Sequence, residues 1–337
     1  MGYLDFHCDT LMLAYEKKME EIGKFPEASI DIERLRRGGV DAQFFAAFVP
    51  PRESGDWWER CFSGKGDGEE EPFWMEEAYI RALKGILGNT QEKYGKEMRL
   101  VKTASQMGEA KREGKLAAFF TLEDGRSLNG SMEKLEAYYQ ELGVSLITLT
   151  WNYENCFGFP NSRKREIMER GLKPFGKEAV EYMNSLGVIV DVSHLSDGGF
   201  WDVVRISKKP FVASHSNCRA LSPHPRNLTD EMLRALAEKG GVTGLNFCSA
   251  FLGKDTESWD SRLEDMIAQV RHMVQVGGIN CVAIGTDFDG IQSRLEIGDP
   301  TRMELLFDGL RKAGFSADMV EQMAWKNGER VLYDITG

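Results

Sequence analysis

Five histidines stand in the 337 residues, at positions 7, 194, 215, 224 and 272, and the first three of chemical interest each close an apolar run. His7 ends Leu4-Asp-Phe-His and is followed by Cys8 and Asp9. In an extended segment alternate side chains share a face, so His7 and Asp9 emerge together and Cys8 points the other way. His194 ends Val188-Ile-Val-Asp-Val-Ser-His, and His215 ends Phe211-Val-Ala-Ser-His. Glu123 ends Leu116-Ala-Ala-Phe-Phe-Thr-Leu-Glu, and Asp287 ends Cys281-Val-Ala-Ile-Gly-Thr-Asp. Any one of these histidines is as well explained by a core or cap role. A carboxylate closing an apolar strand, though, is costly to bury unpaired. Taken together, three imidazoles with the carboxylates of Asp9 and Glu123 suit two borderline divalent ions, zinc first, with one carboxylate bridging. Such a pair can hold a hydroxide nucleophile at neutral pH. A further carboxylate outside the ligand set would shuttle the proton. Asp287 is the natural choice, and Asp289 is the competing assignment.

Something must bring these residues together. Short apolar runs recur at Leu4–His7, Ala42–Val49, Leu116–Glu123, Ser145–Thr150, Val188–His194, Phe211–His215, Val242–Phe247 and Cys281–Asp287. Amphipathic segments lie between them, among them Met132–Leu142, Lys177–Leu186, Glu231–Glu238 and Leu263–Val276. Ser131 is placed to start a helix, and Gly143, Gly187 and Gly240-Gly241 to end others. Eight strands alternating with helices predict an α/β chain closed as a (β/α)8 TIM-type barrel rather than an open sheet. The candidate ligands then fall at the C-terminal ends of the first, third, fifth, sixth and eighth predicted strands, which converge on one mouth.

The chain reads as a single barrel over residues 1–337. An insertion of about 50–114 in the loop after strand 2 carries a helical stretch near Phe73–Lys93 and an acidic run, Glu69–Glu71, expected in a solvated loop. Trp57, Trp58 and Trp74 in this insertion either wall the substrate pocket or pack the insertion onto the barrel.

Composition excludes several classes of function. The balance of 42 Lys and Arg against 53 Asp and Glu leaves −11, which argues against a partner with a phosphate backbone, so no nucleic acid is expected. No window nears the roughly 18 apolar residues of a membrane span, and the first residues lack a signal-peptide pattern. Six scattered cysteines without a C-x-x-C pair suit reduced thiols, and a cytoplasmic location is expected.

Read in order, His7-Cys-Asp9, Leu122-Glu-Asp-Gly125, Leu146-Ile-Thr-Leu-Thr150, Asp191-Val-Ser-His194, Ser214-His-Ser216, His224-Pro-Arg-Asn-Leu-Thr229 and Gly285-Thr-Asp-Phe-Asp-Gly290 form a series that resembles the motifs of the renal (membrane) dipeptidase family. The resemblance implies a metallopeptidase with two Zn2+ ions per chain that hydrolyses small dipeptides. It implies that His7, Asp9 and Glu123 hold one ion and Glu123, His194 and His215 the other. Asp287 would move the proton from the bridging water to the leaving amine, and Arg226 would clamp the substrate carboxylate with two parallel hydrogen bonds. A homodimer is usual for such proteins. One position departs from the pattern: mammalian members carry a histidine after Leu-Thr-Leu-Thr, where this chain has Trp151 and then Asn152. Both are N–H donors that would face the substrate, without a positive charge.

Two rivals remain. Barrel amidohydrolases acting on N-acyl amino acids or other small amides usually open with H-x-H and bridge their metals with a modified lysine. Here the opening is H-x-D, and Ser145–Thr150 has no lysine. A catalytically impaired metal-binding barrel is the other rival, and Trp151 is the feature in its favour. His224 would edge the pocket beside Arg226, and His272 would serve packing or surface.

Overall fold

Two kinds of apolar position alternate along the strands, and their partition decides how the chain closes. The computed structural model describes residues 1–62 and 72–337. Among these, the strands are β1 (Tyr3–Cys8), β2 (Val40–Phe48), β3 (Met98–Val101), β4 (Leu116–Glu123), β5 (Val144–Thr148), β6 (Ile189–Asp191), β7 (Val212–Ala213), β8 (Val242–Leu245), β9 (Asp260–Ser261), β10 (Val282–Ile284) and β11 (Arg294–Leu295). Parallel pairing runs in the order β2-β1-β10-β8-β7-β6-β5-β4, and β4 pairs back onto β2, so eight strands close a barrel. The expected (β/α)8 architecture is the one observed. β9 and β11 form a separate two-stranded piece.

In β2, Ala42 and Phe44 belong to the inner cluster while Phe45 and Ala47 pack outward. In β4, Ala117 and Phe119 face in, while Ala118, Phe120 and Leu122 join the outer cluster. This is the two-residue period of a strand buried on both faces. Inside, Phe44 stacks on Phe119 with centroids 4.2 Å apart and meets Phe6 at 4.9 Å. The helix Asn327–Thr336 places Val331, Leu332 and Ile335 in the same inner cluster and so plugs one end. Asn327 Nδ2 ties it down by donating to Ile279 O and Val282 O. The opposite end is left for chemistry.

Three details correct the sequence-based expectations. β3 was not foreseen. It pairs with the first half of β4, from Met98↔Leu116 to Val101↔Phe119, whereas β5 engages β4 only from Phe120 onward. β3 thus covers an edge that would otherwise expose unpaired backbone. Strands ending at His194, His215 and Asp287 are also overlong, since the ladders stop at Asp191, Ala213 and Ile284. Side-chain carboxylates take over there. Asp191 accepts from Ser193 N at 3.0 Å and Ser214 N at 2.8 Å, and Asp5 accepts from Thr286 N at 2.9 Å. Lastly, the helix begun at Met132 widens into a π-helical turn at Tyr138–Leu142 before Gly143 ends it at φ +71°.

Ser131 caps its helix by accepting from Lys134 N, as its position suggested. Between β2 and β4 the chain forms the helices Asp56–Phe62, Pro72–Tyr94 and Ala104–Arg112. The acidic run Glu69–Glu71 lies outside the described residues, as does the side chain of Trp74. All six cysteines are free, and among the described residues no helix is long and apolar enough to cross a membrane.

Candidate metal centre

His7 is on β1, Glu123 is the last residue of β4, and His194, His215 and Asp287 stand just beyond β6, β7 and β10. The barrel brings them to one point. Three overlapping clusters have all their donor atoms within 4.8 Å of one another: His7 with Asp9 and Glu123, Glu123 with His194 and His215, and His7 with His215 and Asp287. All are buried. Glu123 belongs to two of the three, with Oε2 at 3.5 Å from His7 Nε2 and Oε1 at 3.2 Å from His194 Nε2 and 3.7 Å from His215 Nε2. Cys8 is directed away, its Sγ donating to Phe44 O.

The hydrogen bonds behind the rings settle their tautomers. His194 Nδ1 donates to Asn152 Oδ1 at 2.9 Å. Ser214 Oγ gives its one hydrogen to Asp191 Oδ2 at 2.6 Å, so His215 Nδ1 must donate to that Oγ at 2.7 Å. Both Nε2 atoms therefore carry lone pairs, and they face each other at 3.1 Å with Glu123 Oε1 beside them. Two imidazole lone pairs facing each other in a buried space repel one another unless a proton or a metal cation lies between them. On the other side, His7 Nε2 stands 3.3 Å from Asp9 Oδ2 and 3.9 Å from Asp287 Oδ1, while both its ring nitrogens and Asp9 Oδ1 are buried without a hydrogen-bond partner. This donor set fits divalent ions.

Electrostatics agree with that fit. Burial holds His194 and His215 well below the ordinary imidazole pKa, with Arg226 adding to the first and His7 to the second. Burial opposes a charge on His7, but Glu123 and Asp9 outweigh it and hold this ring well above its usual value. Burial, reinforced by Asp9, pushes Glu123 up to about 8. Asp287 is raised by burial to about 6, against the pull of His7. The cluster is short of positive charge, and both His7 and Glu123 hold on to a proton. Metal cations would take the place of those protons.

The mouth is built on a strained backbone. Asp124, His194, Asp287 and Asp289 have φ of 71°, 66°, 64° and 68°, in the left-handed region that non-glycine residues rarely enter. Gly290 is required by close approach: a Cβ there would lie 2.0 Å from Asp9 Oδ2 and 2.7 Å from Asp287 Oδ1. Asp287 Oδ2 accepts from Asn246 Nδ2 at 2.8 Å, which leaves Oδ1 toward the cluster. Asp289 is committed elsewhere, accepting from Thr10 Oγ1 and Ser29 N, each at 2.6 Å.

The remaining predicted residues divide. Arg226 is buried at the mouth, with Nη1 donating to Ser216 Oγ and Nη2 to His215 O, both at 3.2 Å, and with Nε unpartnered. Trp151 and Trp57 line the cavity above Glu123, and Trp58 instead packs on Phe62 at 4.1 Å. Asn152 lines the cavity too, but its carbonyl oxygen is engaged behind His194 rather than free for substrate. His224 packs against Phe251 with ring centroids 4.7 Å apart and planes tilted by 48°, beside Arg226. His272 lies apart, 2.8 Å from Asp230. Asp191, Ser214, Asn246 and Asp5 hold the ligands or their loops in place and were not foreseen in that role. Their signal was present in part, since Asp5 and Asp191 each interrupt an apolar strand and so must find buried partners.

Comparison with known proteins gives a consistent picture. The family model described as "Membrane dipeptidase (Peptidase family M19)" matches residues 1–336. An uncharacterised protein from the pqqA 5′ region of Klebsiella pneumoniae is 34% identical over 245 residues, covering 71% of this chain and 89% of that protein. Dipeptidase verJ of Clonostachys rogersoniana is 30% identical over 312 residues, covering 90% of this chain and 75% of its own length. A metallopeptidase from Rhodobacter sphaeroides, crystallised with a phosphinate mimic of the dipeptide L-Ala-D-Ala, superposes with a TM-score of 0.87 over 99% of both chains at 24% identity. At that identity the likeness speaks for the fold.

Proposed function

The chain belongs to the membrane dipeptidase family, and from that premise we propose that it is a zinc-dependent dipeptidase, with two ions per chain, that hydrolyses the peptide bond of small dipeptides. The observation that carries the reading is the meeting of the lone pairs of His194 Nε2 and His215 Nε2 at 3.1 Å, with Glu123 Oε1 within 3.2 and 3.7 Å of them. His7, Asp9 and Glu123 would hold one ion, and Glu123, His194 and His215 the other, with Glu123 shared. Two such ions supply Lewis acidity toward the scissile carbonyl and a hydroxide nucleophile at neutral pH.

The chain's own residues do the rest. Asp287, its second oxygen fixed by Asn246, takes the proton of the attacking water on Oδ1 and passes it to the nitrogen of the leaving amine. Burial favours its protonated form, which suits a carboxyl that must hold a proton between taking and releasing it. Arg226 meets the C-terminal carboxylate of the substrate, its guanidinium already oriented by Ser216 and the His215 carbonyl. Trp151 shapes the mouth where mammalian members of the family carry histidine.

The test is hydrolysis by the zinc-loaded protein of L-L and L-D dipeptides, one tripeptide and one N-acyl amino acid, with bound metal counted by mass spectrometry. Cleavage confined to dipeptides with two zinc ions per chain is expected. Turnover of the N-acyl compound alone would replace this reading with another amidohydrolase activity, and no turnover with two ions bound would sink it.

A further inference from the structure

The mouth above Glu123 has two lobes of opposite character. One, a cavity of about 240 Å³, is walled by Met12, Phe48, Trp57, Trp151 and Ile291. The other, of about 430 Å³, is lined by Asn161, Ser162, Arg163, His224 and Arg226. They share Asn152, His194, Cys248 and Phe251, so the junction lies over His194, a candidate metal ligand. Arg226 and Arg163 line only the second lobe, and Phe48, Trp57 and Trp151 only the first.

A dipeptide whose C-terminal carboxylate meets Arg226 must extend its N-terminal residue the opposite way across the junction. That direction leads into the aromatic lobe. Its rings are set edge to face against one another: Phe48 on Trp151 at 4.7 Å, Phe48 on Trp57 at 5.7 Å and Trp57 on Trp151 at 6.3 Å. They come from three separate places, the end of β2, the helix Asp56–Phe62 and the turn after β5, so the wall is braced from three sides. Edge-to-face packing of this kind fixes ring positions beyond what burial alone would do.

Aromatic walls can receive either an apolar group or a cation. Here one face of Trp57 is already covered by a cation from outside the lobe, the Arg60 guanidinium, which sits 4.6 Å over the ring and is paired with Glu16 at 2.7 Å. That face is not open to a cationic side chain of a substrate. Met12 and Ile291 extend the apolar wall, and the carboxylates that also line the lobe, Asp9, Glu123 and Asp287, are the candidate ligands and proton shuttle.

We propose that the enzyme selects dipeptides whose N-terminal residue bears a large apolar or aromatic side chain, seated against Phe48, Trp57 and Trp151. The proposal rests on the dipeptidase reading and names the substrate class within it. Trp57 is the residue to vary, since it belongs to a helix that carries none of the candidate ligands.

The experiment measures kcat/KM of the zinc-loaded full chain on Gly-Ala, Leu-Ala, Phe-Ala, Lys-Ala and Ala-Phe, with binding of each followed in parallel by tryptophan fluorescence. Phe-Ala and Leu-Ala are expected to exceed Gly-Ala by roughly 10- to 100-fold, the range that an added apolar group supplies in a fitted pocket. Trp57→Ala should cut the Phe-Ala to Gly-Ala ratio at least about tenfold, and Trp57→Phe should restore most of it. Should Trp57→Ala not fold, the comparison of Trp57→Phe with the parent, where a smaller ratio is expected, carries the test. Equal rates across N-terminal residues, a preference for Lys-Ala, or a preference for Ala-Phe over Phe-Ala would overturn the proposal. If no dipeptide is cleaved, the reaction reading fails, and the lobe assignment is decided by the fluorescence titration, where Phe-Ala must still bind more tightly than Gly-Ala.

Discussion

Glu123 and Glu76 are both buried carboxylates whose pKa burial drives upward, to about 8 in the first and about 7 in the second. Their neighbours differ. Glu123 faces the Nε2 atoms of His7, His194 and His215 at 3.2 to 3.7 Å. Glu76, on the helix Pro72–Tyr94, faces the Arg126 guanidinium at 3.5 Å, and neither of its oxygens accepts a hydrogen bond. A guanidinium can balance charge but has no lone pair to offer, whereas a neutral imidazole has one. A raised carboxylate pKa therefore marks a buried charge. Convergent imidazoles are what make such a place a candidate metal centre.

The largest effect should come from Glu123→Gln, which removes the charge shared by both ligand triads. Loss of bound zinc and a fall in activity of at least about 10³-fold are expected. Two ions retained in this variant would break the contrast. Asp287→Asn should keep the zinc and still lower kcat by roughly 10²- to 10⁴-fold, because only proton transfer is removed. Unchanged turnover would end its assignment as the shuttle. The supports behind the rings come next: Asn152→Ala and Ser214→Ala should each weaken zinc binding by about 10- to 100-fold in competition with a chelator.

Smallest is Glu76→Gln, expected to leave zinc content and kcat as they are and to change stability with pH. A carboxyl raised from 4.5 to about 7 on folding stabilises the protein below pH 4.5 relative to higher pH, and that stability is lost as pH rises through 7. The variant should lack this loss and be more stable than the parent at pH 8 by a margin on the order of 1–3 kcal/mol, read from denaturant melts. Zinc loss in this variant would mean that Glu76 acts through the centre after all.

The barrel was legible because its strands are short apolar runs, five of them ended by a histidine or a carboxylate that has no place in a core. β3 was not, since Met98-Arg-Leu-Val101 is only half buried and pairs with a single neighbour. Strand ends were overrun for a related reason. His194, His215 and Asp287 continue the apolar runs in sequence, but the residues just before them, Ser193, Ser214 and Thr286, already give their backbone N–H to the carboxylates of Asp191 and Asp5 instead of a ladder. The candidate ligands could be named from residue type and position alone. Asn152 shows the limit: an amide at that position has a donor and an acceptor to offer, and only the fold reveals that the acceptor is spent on His194. Glu76 was invisible, one acid among several on an amphipathic helix.

Trp151 and Asn152 are consecutive residues on a single turn, one walling the aromatic lobe and the other holding the ring of His194. That adjacency constrains how the protein can diverge. A change of backbone at this turn, made to admit a different side chain, would also tilt a histidine, so taste and metal retention are inherited as one trait. Trp57 carries no such burden, having reached the same lobe from a different helix. New preferences should arise there first, and descendants that differ in diet should differ at position 57 while agreeing at 152.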